Sequence, residues 1–401
     1  MKKILPILIL LISFQFSAQQ KYQSLLWEIS GNGLEKSSYL YGTMHVSKKV
    51  AFRLDDVFFE ALNKSECVAL ESDPSTWLAF SYNNTNFNQD YGFYRNDFYS
   101  NLFGLKPPTQ LAVRNSIRID NGLISGYLYR KSYGFDNFEE ETYLDMFIYQ
   151  AGKKQNKPIV GLEDLAESRY LTTKARYNSN KKEPDAWLQK RFKKENAFLI
   201  QEDTYRERNL DLLDSIGVAV NTPFFREHML YKRNENMVDV LDSLMQKKSV
   251  FSGVGAAHLP GEKGMINMLI KKGYTVKPLV SNQTDYVKSE KTKLENLFVK
   301  PKLSLQATPD KFLAIKSFDT LREFSNGTQK YYLAPDMTNG AFLAIKRIST
   351  FEFLPHEKSI SLEKIDDLLY EDIPGTIIEK KEIKSPFPGI SILNKTKKVQ
   401  N

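Results

Sequence analysis

Two of the four histidines in this 401-residue chain end the same pattern: a glycine, two further residues and the imidazole. One is Gly42-Thr43-Met44-His45 and the other is Gly255-Ala256-Ala257-His258. Glycine is scarce, at 20 of 401 residues, against a usual share of about 7%. The doubling therefore reads as a functional pair, with strand-end histidines satisfied by backbone carbonyls as the plainer alternative. Imidazoles titrate near neutrality and ligate metals, so the chemistry is proton transfer or coordination. Glu71 joins them as a third candidate. It ends the apolar run Cys67-Val68-Ala69-Leu70, where an unpaired carboxylate would cost several kcal/mol or more. Asp73 is the second choice there. Arg233 is the fourth, falling in a helical stripe with Leu230, Met237, Leu241 and Leu244. An arginine facing a core needs an anion, and the strand-end carboxylates are the obvious partners. A stem packed on the core with its head in water is the alternative. His228 has no glycine context and reads as packed or superficial. The expectation is that both imidazoles and the Glu71 carboxylate converge, with Arg233 alongside.

Each candidate sits where a strand ends or on an inward helical stripe. Val250, Phe251 and Val254 make a strand that stops at His258, and Pro260, Gly261 and Glu262 then open a helix. Ser38–Tyr41 leads into His45, paired through Gly31-Asn32-Gly33 with Leu25–Ile29 as a hairpin. A helix over Leu54–Lys64, with Val57, Phe58, Ala61 and Leu62 inward, precedes the strand that ends at Glu71. The Glu139–Lys154 helix leads to Pro158–Leu162, a strand that again ends on an acid, Glu163. One helix is expected from about Asp185 to Ile216, and another from Thr222 and Pro223 to about Lys247. The fold class is α/β, a central mixed, largely parallel sheet with flanking helices. Tyr82–Phe103, rich in tyrosine and phenylalanine, suits either a lid or core packing, and Gln110–Phe135 reads as mostly helical.

Met1–Gln19 has the order of a secretory signal: Lys2-Lys3, an apolar run from Ile4 to Phe14, then Ser17-Ala18. Export is expected, and no later stretch reaches the roughly 18 apolar residues of a membrane span. The only cysteine is Cys67, so no internal disulfide supports the fold. A formal charge of +8 is diffuse and comes without a nucleic-acid motif, which excludes that partner class. The organisation expected is a domain over residues 20–283, a polar linker over 284–302 and a C-terminal β-rich or α+β module over 303–401. In that module Phe312-Leu313-Ala314-Ile315-Lys316 recurs as Phe342-Leu343-Ala344-Ile345-Lys346.

These residues, together with Leu70-Glu71, Gly161-Leu162-Glu163, Arg233-Asn234 and the run Val254–Gly264, resemble the TraB/GumN family, which includes the TIKI proteases and the PrgY pheromone-shutdown proteins. The resemblance covers nearly all of the first domain and nothing beyond about residue 283. It implies a fold similar to erythromycin esterase and ChaN. It also implies a hydrolytic site at His45, Glu71, Arg233 and His258, metal-dependent in the TIKI branch. Val46-Ser47-Lys48 departs from the Val-Gly usual after the first motif.

Three chemistries compete. In a metal-assisted hydrolase of peptides or proteins, His45, Glu71 and His258 hold a divalent ion and leave positions for water and substrate. Manganese, cobalt and zinc suit this ligand set equally. In a metal-free hydrolase, one histidine acts as general base on water, positioned by Glu71. In a binding protein, the cleft captures a peptide or haem and does no chemistry.

Overall fold

The structure is a computed structural model that describes residues 21–46, 48–84, 140, 142–326, 329–347, 376–383 and 389–395. It divides into two packing units. Among the described residues, the first comprises 21–74 and 140–298, and the second comprises 75–84 together with the described residues from 299 to 395. The sequence pattern suggested one continuous first domain, whereas the first unit is drawn from two stretches.

The first unit is a six-stranded mixed sheet. Its strands are β1 (Leu26–Ser30), β2 (Ser38–Thr43), β3 (Cys67–Leu70), β4 (Ile159–Gly161), β5 (Val250–Gly255) and β6 (Thr275–Leu279). They lie in the order β4-β3-β5-β2-β1-β6. The first four in that order run parallel, while β1 pairs antiparallel with both β2 and β6. β2, β3 and β5 are buried along almost their whole length because both faces are covered.

Helix α1 (Asp56–Lys64) starts at Asp55, whose carboxylate accepts from the Phe58 N–H. It buries Phe58, Phe59, Ala61 and Leu62, so Phe59 takes the inward place expected of Val57. The Phe58 ring meets Tyr41 at 4.8 Å and Phe251 at 5.2 Å, edge to face, which locks the helix onto β2 and β5. After α2 (Trp77–Asn84) in the second unit comes α3 (Leu144–Lys154), which packs across β3 and β4. A Cβ at its Gly152 would lie 2.8 Å from both Val68 and Ile159, so only glycine allows this approach.

The stretch expected as one helix from Asp185 to Ile216 is three. After α4 (Leu165–Arg176) come α5 (Ala186–Phe192), α6 (Ala197–Arg206) and α7 (Leu210–Val220). The side chains of Asn196 and Asn209 cap new helices, and Arg208 takes a positive φ of 57° between the last two. Leu188, Ile200, Ile216 and Ala219 form a small core for this helical insert.

Thr222 caps α8 (Pro223–Arg226) with proline in its first turn, as expected. The helix then passes through one π turn, Glu227–Tyr231, before α9 (Lys232–Met245). Arg233, Met237 and Leu241 face inward as the stripe requires, with Met245 rather than Leu244 closing it. Helix α10 (Met265–Lys271) follows β5. The segment expected as linker contains α11 (Asp285–Asn296), capped by Thr284, which buries Val287 and Leu294. Two apolar residues seven apart are enough to seat it, and Lys154 Nζ bonds its last carbonyls.

The second unit is antiparallel where described. β7 (Ser304–Ala307) pairs with β8 (Ala314–Ser317), and β9 (Arg322–Asn326), β10 (Gln329–Asp336) and β11 (Ala341–Arg347) form a meander. β12 (Thr376–Ile383) pairs with β13 (Gly389–Lys395). The two recurring pentads fall on β8 and β11 and the residues leading into them. The aromatic stretch from residue 85 to 103, residues 110–135 and the N-terminal leader lie outside the described residues. No described helix is long and apolar enough to cross a membrane.

Gly152→Ala is expected to lower stability by about 1–3 kcal/mol, the usual cost of overpacking a tight contact. Chemical denaturation of the two proteins measures it.

Candidate active site

The carboxyl ends of the parallel strands meet at one edge of the sheet. Thr43 pairs with Gly255, and Leu70 pairs with Gly253 on one side and Gly161 on the other. β5 enters between β2 and β3, so the edge is a topological switch point, where α/β sheets form their clefts. His45, Glu71, Glu163 and His258 all follow those strand ends.

The motif glycines serve this convergence. A Cβ at Gly42 would stand 3.1 Å from Cα and Cβ of Ala256, so the first motif packs directly on the second. One at Gly255 would stand 3.2 Å from Glu71 Oε1 and 3.5 Å from His45 Nε2. At both positions a side chain would press on its neighbours, which would have to yield by a few tenths of an ångström.

His258 ends a single 3-10 turn, Ala256–His258, and is buried. The Asn234 amide nitrogen donates to the carbonyls of His258, at 3.3 Å, and Lys263, at 2.8 Å. Its amide oxygen therefore faces the ring and accepts from Nδ1 at 2.6 Å. That places the proton on Nδ1 and leaves the Nε2 lone pair facing the cleft. Burial pushes the pKa of His258 down to about 4, which keeps it neutral.

His45 is the opposite case, with a side chain 55% exposed. Its Nδ1 lies 2.8 Å from Asp145 Oδ2, and the other Asp145 oxygen accepts from Thr43 Oγ1 at 2.6 Å. The Asp145 carboxylate beside it raises the pKa of His45 to about 9, outweighing its desolvation.

Glu71 links the two. Its Oε1 accepts the Gly255 N–H at 2.7 Å and lies 3.8 Å from Nε2 of both His45 and His258. Its Oε2 accepts from Arg233 Nη2 at 2.7 Å. Burial alone would raise its pKa. The two imidazoles, the guanidinium and the Gly255 N–H reverse that and hold it far below the usual carboxylate range.

Arg233, buried with only 6% exposure, is shared. It also forks onto Glu163, Nε to Oε1 at 2.8 Å and Nη2 to Oε2 at 2.6 Å. Its Nη1 donates to the Met229 carbonyl of the π turn at 3.2 Å and lies 3.5 Å from His258 Nε2. Glu163 is almost fully buried and also accepts from Ser168 Oγ at 3.2 Å. Burial pushes its carboxyl up while Arg233 pulls it down, and burial prevails.

The four residues singled out from sequence are thus brought together, and Glu71 rather than Asp73 carries the contacts. His228 lies apart, its Nδ1 2.9 Å from the Phe224 carbonyl and its ring against Phe224. Asp145, Glu163 and Asn234 were not among the chosen candidates. Glu163 and Asn234 carried a signal, an acid at a second strand end and an amide beside the inward arginine. Asp145 carried none, because in the expected Glu139–Lys154 helix it is one of four acids, each with the ordinary reading of a solvated side chain.

The donor types suit a divalent ion: two imidazole nitrogens with their far sides pinned, and one carboxylate oxygen. Donors each about 2.1 Å from one ion lie at most ~4.2 Å apart, and both Nε2–Oε1 separations are 3.8 Å. No group of three or more His, Cys, Asp or Glu among the described residues stands at coordinating spacing, so these three would have to draw together. Binding would also displace the His45 proton.

Fold and site together define an α/β protein with a histidine, carboxylate and arginine cleft at the carboxyl edge of its sheet. The TraB/PrgY/gumN family model matches residues 25–95 and 124–278, and the chain belongs to that family. No curated protein matches the chain closely enough to be compared with it.

Arg233→Ala strands two buried carboxylates, and a loss of about 3–5 kcal/mol is expected in denaturation. Adding Glu163→Gln should recover part of it, because one of the two charges is then gone. In chelator-treated protein, proton NMR should show His45 titrating near 9 and His258 near 4. Asp145→Asn should move His45 back toward its ordinary value of about 6.5 and leave His258 in place. The His45 contribution to stability is then present below about 6.5 and lost as pH rises through about 9. The His258 contribution runs the other way, lost as pH falls from about 6.5 through about 4.

Proposed function

We propose that this protein is a hydrolase of peptides or proteins, with His45, Glu71 and His258 holding a divalent ion of the manganese, cobalt or zinc kind. The observation that carries this reading is the shared oxygen. Both imidazole Nε2 atoms lie 3.8 Å from Glu71 Oε1, while Asp145 and Asn234 hold the opposite ring nitrogens. Histidine ligands are commonly oriented by such outer partners. When bound, such an ion supplies a water whose pKa falls from 15.7 toward roughly 7 and a Lewis acid for the scissile carbonyl.

The chain's own groups do the remaining work. Asn234 keeps the His258 proton on Nδ1, so that Nε2 stays a lone-pair donor. Asp145, itself held by Thr43, fixes the plane of the exposed His45 ring. Arg233 keeps Glu71 ionised, and its Nη1, 3.5 Å from His258 Nε2, places positive charge where an oxyanion would develop.

A second reading keeps the hydrolysis without an ion. The environments push the two histidines apart, one charged and one neutral, which is how acid and base are assigned in one site. His258 Nε2 would then take the water proton, and His45 would give one to the leaving amine.

Cleavage of a peptide library with and without added manganese, cobalt or zinc, alongside measurement of bound metal, tests both. His45→Ala and His258→Ala should each lower the rate by about a hundredfold or more with little change in melting temperature, while His228→Ala should not lower it. Chelation that abolishes cleavage supports the first reading, and chelation without effect supports the second. A metal-loaded protein that cleaves nothing in the library overturns both.

A further inference from the structure

The helical insert carries a surface that the cleft chemistry does not use. Helix α5 turns its buried face, Leu188 with Phe192 packed behind it, onto the small core of the insert. Outside that face lie Trp187, Lys190 and Arg191, at helical spacings of three and four, and Lys194 follows in the turn after the helix. Asn196 then caps α6, and the first residues past it are Phe198, 74% exposed, and Leu199, 56% exposed. Ile200, one residue on, is buried. The core is therefore served without Phe198 and Leu199, and both stand in water beside Lys193 and Lys194. Trp187, in the first turn of α5, is 43% exposed.

Charge settles which partner suits this corner. From Trp187 to Leu199 there are four cations, Lys190, Arg191, Lys193 and Lys194, against one carboxylate, Glu195. Glu195 is spent on Arg191 at 3.1 Å. No ion pair with another described residue engages Lys190, Lys193 or Lys194. A polypeptide partner would need its own carboxylates placed to match these lysines. A bilayer with anionic headgroups offers negative charge everywhere at one depth and acyl chains just beneath it. Apolar side chains at a helix start, ringed by lysines and flanked by a tryptophan, are the interfacial arrangement that such a surface takes.

We propose that the α5–α6 corner, with Trp187, Phe198 and Leu199 set among Lys190, Lys193 and Lys194, docks the protein on an anionic lipid bilayer. Phe198 and Leu199 enter the boundary between headgroups and acyl chains, and the lysines meet the headgroup charge. Helix α6 also ties the corner to the cleft. Its Tyr205 hydroxyl donates to the Gly42 carbonyl at 2.9 Å, and its Glu202 pairs with Lys48. Those two contacts hold either side of the first histidine motif.

Flotation of the full chain with vesicles tests the proposal, using phosphatidylcholine alone and phosphatidylcholine with about one third phosphatidylglycerol, at low and high salt. Because every protein in the comparison carries the same N-terminal segment, differences report the corner. The unaltered chain should float with the anionic vesicles more than with the neutral ones, and salt should weaken the preference. Lys193→Glu with Lys194→Glu, and separately Phe198→Ser with Leu199→Ser, should each cut the bound fraction by about fivefold or more. Lys247→Glu with Lys248→Glu, on a different turn of the molecule, should leave it unchanged. Lys193, Lys194, Phe198, Leu199 and Lys247 are exposed and Lys248 is half-buried, so the corner variants should keep the melting temperature of the unaltered chain. Equal binding by the corner variants and the unaltered chain overturns the proposal. So does equal binding to neutral vesicles, or no binding at all. A loss confined to the lysine variant also overturns it, since adsorption by charge alone needs no Phe198 or Leu199.

Discussion

The guanidinium of Arg233 is held between two buried carboxylates, and the geometry of the cleft follows from that pairing. Glu163 takes the fork, and Glu71 takes the remaining edge. Neither acid could stay ionised there alone, because a lone carboxylate in an apolar site gives up its charge. With Arg233 present, Glu71 stays charged and can hold one oxygen toward both imidazoles. The pairing also ties helix α9, which no strand ladder reaches, to the ends of the neighbouring strands β3 and β4. Ion pairs of this kind contribute little net stability and much uniqueness of arrangement.

The sheet supplies the rest of the precision. Because β5 lies between β2 and β3, the ends of three strands reach one point from different parts of the chain. Parallel pairing fixes their relative heights through the register, Thr43 with Gly255 and Leu70 with Gly253. The histidines are then oriented by groups off the sheet, His258 by Asn234 on α9 and His45 by Asp145 on α3. The two outer partners have opposite effects. Asn234 adds no charge, so burial leaves the His258 ring neutral, whereas the Asp145 carboxylate keeps the exposed His45 ring charged.

Much of this was legible in the sequence, for reasons that differ residue by residue. His45 and His258 stood out because a rare residue repeated beside a rare glycine. Glu71 stood out because acids seldom end apolar strands, and Arg233 because the stripe around it is apolar. The register of Glu163 with Glu71 was not legible, since it depends on β4 pairing with β3. Asp145 was hidden because it is one of four acids in the expected Glu139–Lys154 helix, and the helix starts only at Leu144. The break of one expected helix into α5, α6 and α7 depended on Asn196 and Asn209, whose side chains act as caps here and as simple surface amides elsewhere. The helix α11 was masked by its polar composition, which left only Val287 and Leu294 to show a buried side.

The π turn at Glu227–Tyr231 behaves as a phase shifter within the long helix. One extra residue in the winding changes the angular position of everything upstream relative to Arg233 by about 100°. With that residue present, Arg226 can reach Asp214 on one side of the turn while Arg233 reaches Glu71 and Glu163 on the other. Helix α7 is thereby held in step with α9 and the site that Arg233 serves. Natural variation in helix length is accordingly expected to be tolerated before residue 223 or after 245, and selected against between these two arginines.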